Sequence, residues 1–338
     1  MSLIALTGAK SAGITTSALA LTAVWPSPLL LTECDPAGGD VAAGLLRGAE
    51  AGPGLLELAL ATRRGLTQDQ FWEHTTALSG DGTLRLLAGL SDPAQHATLS
   101  PAWPLLTRML RALSPLGSPA EGKPNDVDVL ADCGRFAAGT PYGLLAAADL
   151  VLLVLRPTLS HVAHTRNRLA DLQGQLAAHA GGPPPELGLL IVDAGPYPPN
   201  EVAAALGVAV AGVLANDAES AAVLAGLGES RARFEKSPLM RSEPPRARRW
   251  TPPGWPMAAP TTPPAIWRRR IWRRRIWRSR MWRCPILRAG HDRLALCGLT
   301  SASGRAAPAR AWTGGPPSRS GGCGAGNSPP AGSCWAGC

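Results

Sequence analysis

The sequence predicts an α/β domain over residues 1–241, a mostly parallel sheet flanked by helices on both faces. Two observations lead there. Short aliphatic runs recur along these residues, each followed by a turn and then an Ala/Leu-rich helical stretch. The runs are also continuously apolar instead of alternating, as strands buried on both faces by crossover helices require.

The elements follow in order. Leu3–Leu6 is the first strand, and after the glycine loop that begins at Gly8 comes a helix, Thr16–Val24, stopped before Pro26. Leu29–Thr32 is the second strand, closed by the turn residues Asp35-Pro36 and Gly38-Gly39. Helix Leu55–Arg64 ends at Gly65, and strand Leu84–Leu87 follows the turn Gly80-Asp81-Gly82. Helix Pro101–Leu113 carries proline in its first turn. Strand Val127–Ala131 ends at Asp132; helix Tyr142–Ala148 and strand Leu150–Leu155 come next, the strand bounded by Pro157. Thr158 can cap helix Leu159–His179, which stops before Gly181-Gly182. Strand Leu187–Val192, helix Asn200–Leu206, strand Val208–Leu214 and helix Ala218–Leu227 complete the set.

Composition divides the 338 residues near residue 242. Residues 1–249 hold 19 Lys/Arg against 23 Asp/Glu, a net charge of −4, while residues 250–338 hold 14 Arg against the single acid Asp292, a net charge of +13. The basic character thus belongs to the tail, and a nucleic-acid role for the body is not expected. Arg63-Arg64 and Arg166 with Arg168 read as solvated helix surface. Only Cys34 and Cys133 of the seven cysteines lie in the body, no CxxC pair occurs, and no secretory signal precedes the body. A disulfide framework or zinc site is not expected, and the body reads as cytoplasmic. No stretch of eighteen uninterrupted apolar residues offers a transmembrane segment; Leu144–Leu155 comes nearest and contains Asp149.

The tail has 12 Pro and 12 Gly in its last 89 positions and is expected to be low-complexity and disordered. It repeats Ile266-Trp267-Arg268-Arg269-Arg270 at Ile271–Arg275, with altered copies at Ile276–Arg280 and from Met281. A five-residue period rotates a helix by about 140° per repeat, so the Trp residues do not line one face. Nucleic-acid binding by the tail stays open, as any Trp/Arg-rich chain attracts phosphate. A frame shift near residues 241–250 also accounts for it. Codons TGG-CGG-CGG-CGG-ATC read two bases later give Ala-Ala-Ala-Asp-Leu, the sequence found at Ala146–Leu150.

Ligands of open parallel sheets bind beyond the carboxyl ends of the strands, so the loops there hold the chemistry. The first, Gly8-Ala9-Lys10-Ser11-Ala12-Gly13-Ile14-Thr15-Thr16, approaches the phosphate loop GxxxxGK[ST] in the right setting between strand and helix. Ile14 stands where that motif has its phosphate lysine. The other reading of this loop is a glycine-containing turn that only joins strand to helix. Lys10 makes the loop resemble the deviant Walker A loop, GKGGxGKTT, of the MinD/ParA-like ATPases. The resemblance implies that residues Gly8 and Lys10–Thr16 cradle ATP, that Lys10 reaches the phosphates of a partner subunit in an ATP-sandwich homodimer, and that Thr15 holds Mg²⁺.

Glu33-Cys34-Asp35-Pro36-Ala37-Gly38-Gly39-Asp40 resembles the same family's second motif, DxDPxGN, with Glu33 in place of the first acid and no match for the final Asn. By resemblance Asp35 is a catalytic and Mg²⁺-linked acid, Glu33 a water-positioning acid and Asp40 a weaker candidate; turn capping is their ordinary alternative. Val127–Asp132 has the Walker B form, a hydrophobic strand ending in an acid, and Asp132 is the metal-site acid. Asp193, and Asn216-Asp217 after Gly212-Val213-Leu214, occupy the segments that flank the base in that family.

His161 and His164, three apart on one helix, have no third ligand and read as surface. Cys34 and Cys133, beside the second and third motifs, read as passive small residues. The resemblance spans residues 1–241 and implies a nucleotide-dependent spatial switch for chromosome partitioning, septum placement or pilus and secretion positioning, with an unidentified protein partner in that machinery. With Ile14 in the loop, hydrolysis is expected to be weak or absent. The alternative is a pseudo-ATPase, an interaction scaffold that binds no nucleotide. A metabolic enzyme of the superfamily would need a substrate constellation, and the sequence offers none.

Overall fold

The structure, a computed structural model, describes residues 2–46, 52–113, 127–227 and 236–241. The tail after 241, with its expected disorder, its pentamer repeat and the frame shift, lies outside the described residues.

In chain order the elements are β1 (Leu3–Gly8), α1 (Ile14–Ala23), β2 (Leu29–Glu33), α2 (Leu55–Thr62), α3 (Gln68–Glu73), β3 (Thr76–Ala77), β4 (Leu84–Leu87), α4 (His96–Leu99), α5 (Trp103–Leu110), β5 (Asp128–Arg135), α6 (Tyr142–Ala146), β6 (Leu150–Leu155), α7 (Leu159–His179), β7 (Glu186–Asp193), α8 (Pro199–Leu206), β8 (Val210–Ala215) and α9 (Ala218–Leu224). The strands form one sheet in the order β3-β4-β2-β5-β1-β6-β7-β8. Every pairing is parallel except β3 with β4.

The continuous apolar runs behave as their chemistry demands. Along β1, Leu3 and Ala5 enter the core on one face, with Leu58, Leu106, Leu145, Leu172 and Val202 of α2, α5, α6, α7 and α8. Ile4 and Leu6 enter the core on the other, with Leu19 of α1 and Leu224 of α9. Each such leucine taken out of water contributes about 1.5–3 kcal/mol, so one strand secures two helical layers. The acids at the strand starts are held by partners. Asp128 accepts from the Ser2 N–H at 2.8 Å, the Ser27 hydroxyl at 2.7 Å and the Trp25 indole at 3.2 Å. Asp149, the acid inside the long apolar stretch, accepts from the Leu3 N–H at 2.8 Å and pairs with Arg111 at 3.1 Å.

The structure adds three elements to those expected. α3 follows a capping box in which the Gln70 N–H donates to the Thr67 hydroxyl and the Thr67 N–H to the Gln70 side chain. α4 is a single turn, and β3 is a two-residue antiparallel edge. α1 begins at Ile14, two residues before the expected start, because Gly13 takes the N-cap in the left-handed region at φ 87°. β5 runs on to Arg135, past the expected end at Ala131, so Asp132 lies within a strand and pairs in register with Leu6 and Glu33. Among the described residues no helix is long and apolar enough to cross a membrane.

Candidate functional site

The site gathers where β1, β2, β5 and β6 end. Gly8 closes β1, and a Cβ there would stand 2.7 Å from the Val154 carbonyl of β6, so the chain passes only as glycine. Ala12 is buried and Ser11 exposed, while Lys10, Thr15 and Thr16 are partly exposed. The Gly13 carbonyl accepts from both the N–H and the hydroxyl of Ser17, at 2.8 Å each, fixing the first turn of α1. Ile14 packs into the core with 6% of its surface exposed, and its Cδ1 would lie 3.2 Å from a Cβ on Gly8. The lysine position of the loop is therefore filled by an apolar wedge.

Across from this turn stand three carboxylates. Asp132, 2% exposed, lies near the Thr15 side chain and accepts from the Gly134 N–H at 3.0 Å. Burial pushes its pKa up to about 7; Thr15 and the Gly134 N–H pull it down, and the nearby Glu33 and Asp35 charges raise it further. Asp35 lies directly over Gly134. A Cβ on Gly134 would overlap its carboxylate, and Gly134 sits at φ 57°, so the backbone there accepts glycine for two reasons. Asp35 accepts from the Ala37 N–H at 2.8 Å, and burial raises its pKa against that bond and the Arg135 charge.

Glu33 is buried, with one oxygen accepting from Asp40 N–H at 2.7 Å and Val41 N–H at 2.9 Å, the other from Gly89 N–H at 3.1 Å. Both oxygens are thus engaged in holding the 38–41 loop onto β4's following turn. Burial raises its pKa, opposed by those three N–H groups. Glu33→Gln turns one acceptor into a donor facing an N–H. It is expected to cost about 1–2 kcal/mol, seen as a lower denaturation midpoint with faster amide exchange at Asp40, Val41 or Gly89.

Several other sequence candidates are solvent-facing, Asp40 at the edge of this cluster and the rest outside it. Asp40, Asp193, His164, Arg63, Arg64, Arg166 and Arg168 are exposed, and Arg168 lies over the Phe136 ring at 5.0 Å. Among the described residues no three His, Cys, Asp or Glu side chains group to hold a metal. Cys34 and Cys133 are buried, Cys34 with its Sγ 3.3 Å from the Thr32 hydroxyl; the neighbouring Cys34, then burial, drives the Cys133 thiol well above the usual range. Such thiols are unreactive. Asp217 caps α9, accepting from Ser220 N–H at 3.0 Å and the Ser220 hydroxyl at 2.8 Å.

Sequence reasoning alone misses Arg156, which follows β6. With Gly13, Thr16, Ser17, Asn216 and Asp217 it lines a cavity at the start of α1. The only available signal was position: an arginine directly after a buried strand, in one of the loops where ligands bind.

No family model and no curated protein matches the sequence. Solved structures do match. A ParA family ATPase from Chlorobium tepidum TLS superposes with a TM-score of 0.53 at 15% identity, over 71% of this chain and 95% of that one. The septum site-determining protein MinD of Pyrococcus horikoshii OT3, complexed with Mg-ADP, gives 0.52 at 15% identity over 71% and 93%. MinD of Aquifex aeolicus, in its complex with MinC, gives 0.50 at 14% identity over 72% and 92%. Strand order, glycine loop and strand-borne acid together give this chain the MinD/ParA-like P-loop fold.

Proposed function

We propose that the protein is a nucleotide-dependent switch of the MinD/ParA kind, binding ATP with Mg²⁺ and hydrolysing it slowly or not at all. The placement of Thr15, in the first turn of α1 after β1, near Asp132 on the adjoining β5 carries this reading. A hydroxyl in the first turn of the loop helix and a buried carboxylate on the adjoining strand are the donor pair a P-loop offers to Mg²⁺, which keeps most of its waters and takes one or two protein oxygens. The residues fit the group: Asp132 is a buried carboxylate with a hydrogen bond from the Gly134 N–H, and the Asp35 carboxylate lies over Gly134, so a divalent cation can offset the charge there. When bound, Mg²⁺ would be held by Thr15 and Asp132 and would supply positive charge that offsets that of the phosphates.

The chain's own residues divide the remaining work. Gly13 and the N-terminus of α1 present backbone N–H groups to phosphate. Asp35, half-buried with one oxygen on Ala37, is the acid placed to orient water, whereas Glu33 holds the loop. Lys10 is the residue for a partner subunit's phosphates in a homodimer. Ile14 supplies no charge to the γ-phosphate as it departs, so turnover is slow. The protein works in the cytoplasm with a protein partner from partitioning, septation or pilus machinery; a neighbour solved with MinC supports a protein partner.

The packing of Ile14 against Gly8 favours a second reading, an interaction scaffold that binds no nucleotide. Titration calorimetry of Mg-ATP into the full chain separates the two. A nucleotide switch binds, and Asp132→Ala and Lys10→Ala each weaken binding, the former by about tenfold or more, equivalent to about 1.4 kcal/mol. Absence of binding at millimolar ATP by the folded chain establishes the scaffold.

A further inference from the structure

We propose that Arg156 delivers to the phosphate chain of a bound nucleotide the positive charge that Ile14 denies the loop. This inference rests on the nucleotide-switch reading and names the residue that makes it workable.

The position of Arg156 is fixed by the backbone. β6 pairs with β1 in parallel, Leu6 opposite Leu152 and Thr7 opposite Leu153, so the two strands end side by side. Gly8 passes against the Val154 carbonyl, two residues before Arg156. Beyond the strand, the Thr158 N–H donates to the Arg156 carbonyl at 2.8 Å and the Tyr197 N–H to the Pro157 carbonyl at 3.3 Å. Arg156 is held at both its own carbonyl and its neighbour's, where its side chain lines the cavity beside Gly13, Thr16 and Ser17.

The guanidinium there is short of partners. Its Nε is buried and makes no hydrogen bond among the described residues. A buried donor without an acceptor costs about 1–3 kcal/mol, and such groups call for a ligand or a function. The carboxylate lining the same cavity, Asp217, is turned to the N–H and hydroxyl of Ser220. Among the described residues Arg156 is the one cationic side chain that lines this cavity, beside the N-terminus of α1. A buried, unsatisfied guanidinium Nε and a helix N-terminus at one cavity suit an anion. Guanidinium is the side chain that meets phosphate oxygens with two parallel N–H bonds. A P-loop lysine approaches the β- and γ-phosphates from within the loop; Arg156 approaches from the neighbouring strand, leaving the loop's interior to Ile14.

The test is calorimetric titration of Mg-ATP, Mg-ADP and adenosine into the full chain, the Arg156→Ala and Arg156→Gln variants, and Arg156→Lys. Ligand-free melting curves check that each variant is folded, and both neutral variants are expected to melt no lower than the wild type because no protein hydrogen bond from Nε is lost. The expected result is a loss of tenfold or more in ATP and ADP affinity in the neutral variants, unchanged adenosine binding, and partial recovery in Arg156→Lys. If wild type binds nucleotide and both neutral variants bind it equally well, the inference falls and the nucleotide switch stands. Equal losses for adenosine and ATP overturn the phosphate assignment, since the arginine would then be serving the nucleoside. If the wild-type chain binds none of the three, the nucleotide-switch reading falls and this one with it.

Discussion

Asp132→Asn is expected to make the ligand-free protein more stable at pH 8 and no more stable at pH 4. The sign follows from the proton balance. Asp132 titrates near 7 in the folded chain and near 3.9 when unfolded. Between those values the native state binds more protons than the unfolded state, so stability falls as pH rises. The contribution is full below about pH 4, declines up to about pH 7 and is then lost. At about 1.36 kcal/mol per pH unit, the loss approaches an upper limit of about 4 kcal/mol. Asparagine keeps an oxygen for the Gly134 N–H while removing the charge. Urea denaturation of both proteins at pH 4.5 and pH 8 is the measurement: the midpoints converge at the lower pH and separate at the higher, with the variant ahead. Equal midpoints at pH 8 would show that Asp132 ionises without strain on the fold. The same charge that weakens the empty protein is what Mg²⁺ would bind, so Mg²⁺-nucleotide stabilises the wild type at pH 8 and not the variant.

The site was partly legible in the sequence. Lys10, Asp35 and Asp132 follow or end apolar runs, and the period of those runs already says which loops share an edge. Glu33 was read as a water-positioning acid from its place in a motif. Its three backbone donors come from Asp40, Val41 and Gly89, and the last of these is 56 residues away. No local pattern announces that a loop will fold back over a carboxylate. Likewise the contact of Asp35 with Gly134 joins two motifs whose spacing along the chain is silent about their overlap.

The fold shows the same division between local and distant causes. β6 was found at Leu150–Leu155 because its buried run is unbroken, and α7 at Leu159–His179 because Thr158 caps it and glycines follow. α3 left a readable trace, the Thr67 to Gln70 capping box, in a segment too short for a helical apolar face. β3 left none. Two residues become a strand only because β4 offers its edge, Thr76 opposite Leu86 and Ala77 opposite Arg85. The run of β5 beyond Ala131 depends on Gly134 taking a left-handed conformation, which a reading by hydrophobic runs does not register.

Ile14→Lys is expected to raise affinity for Mg-ATP by about ten- to a hundredfold, the range of one charge-assisted hydrogen bond at about 1.5–3 kcal/mol. The side chain starts from the N-terminal residue of α1, between Gly13 and Thr15, so a lysine stem can lie along the apolar wall that Ile14 now fills and carry its ammonium toward the loop. The gain has a structural cost. Ile14 belongs to the core cluster with Ile4, Leu6 and Leu19, and losing its packing lowers stability by about 1–3 kcal/mol. Calorimetry therefore reports tighter binding while ligand-free melting reports a less stable protein, a combination that a purely structural role for residue 14 does not produce. Unchanged ATP affinity in a folded Ile14→Lys chain would mean that the loop does not face phosphate, and the scaffold reading would take its place. The background variant adds a further discrimination. If Arg156 already serves the phosphates, the two cations compete for the same oxygens, and Ile14→Lys gains more in an Arg156→Ala chain than in the wild type. Equal gains in both backgrounds would place the two side chains on separate parts of the ligand.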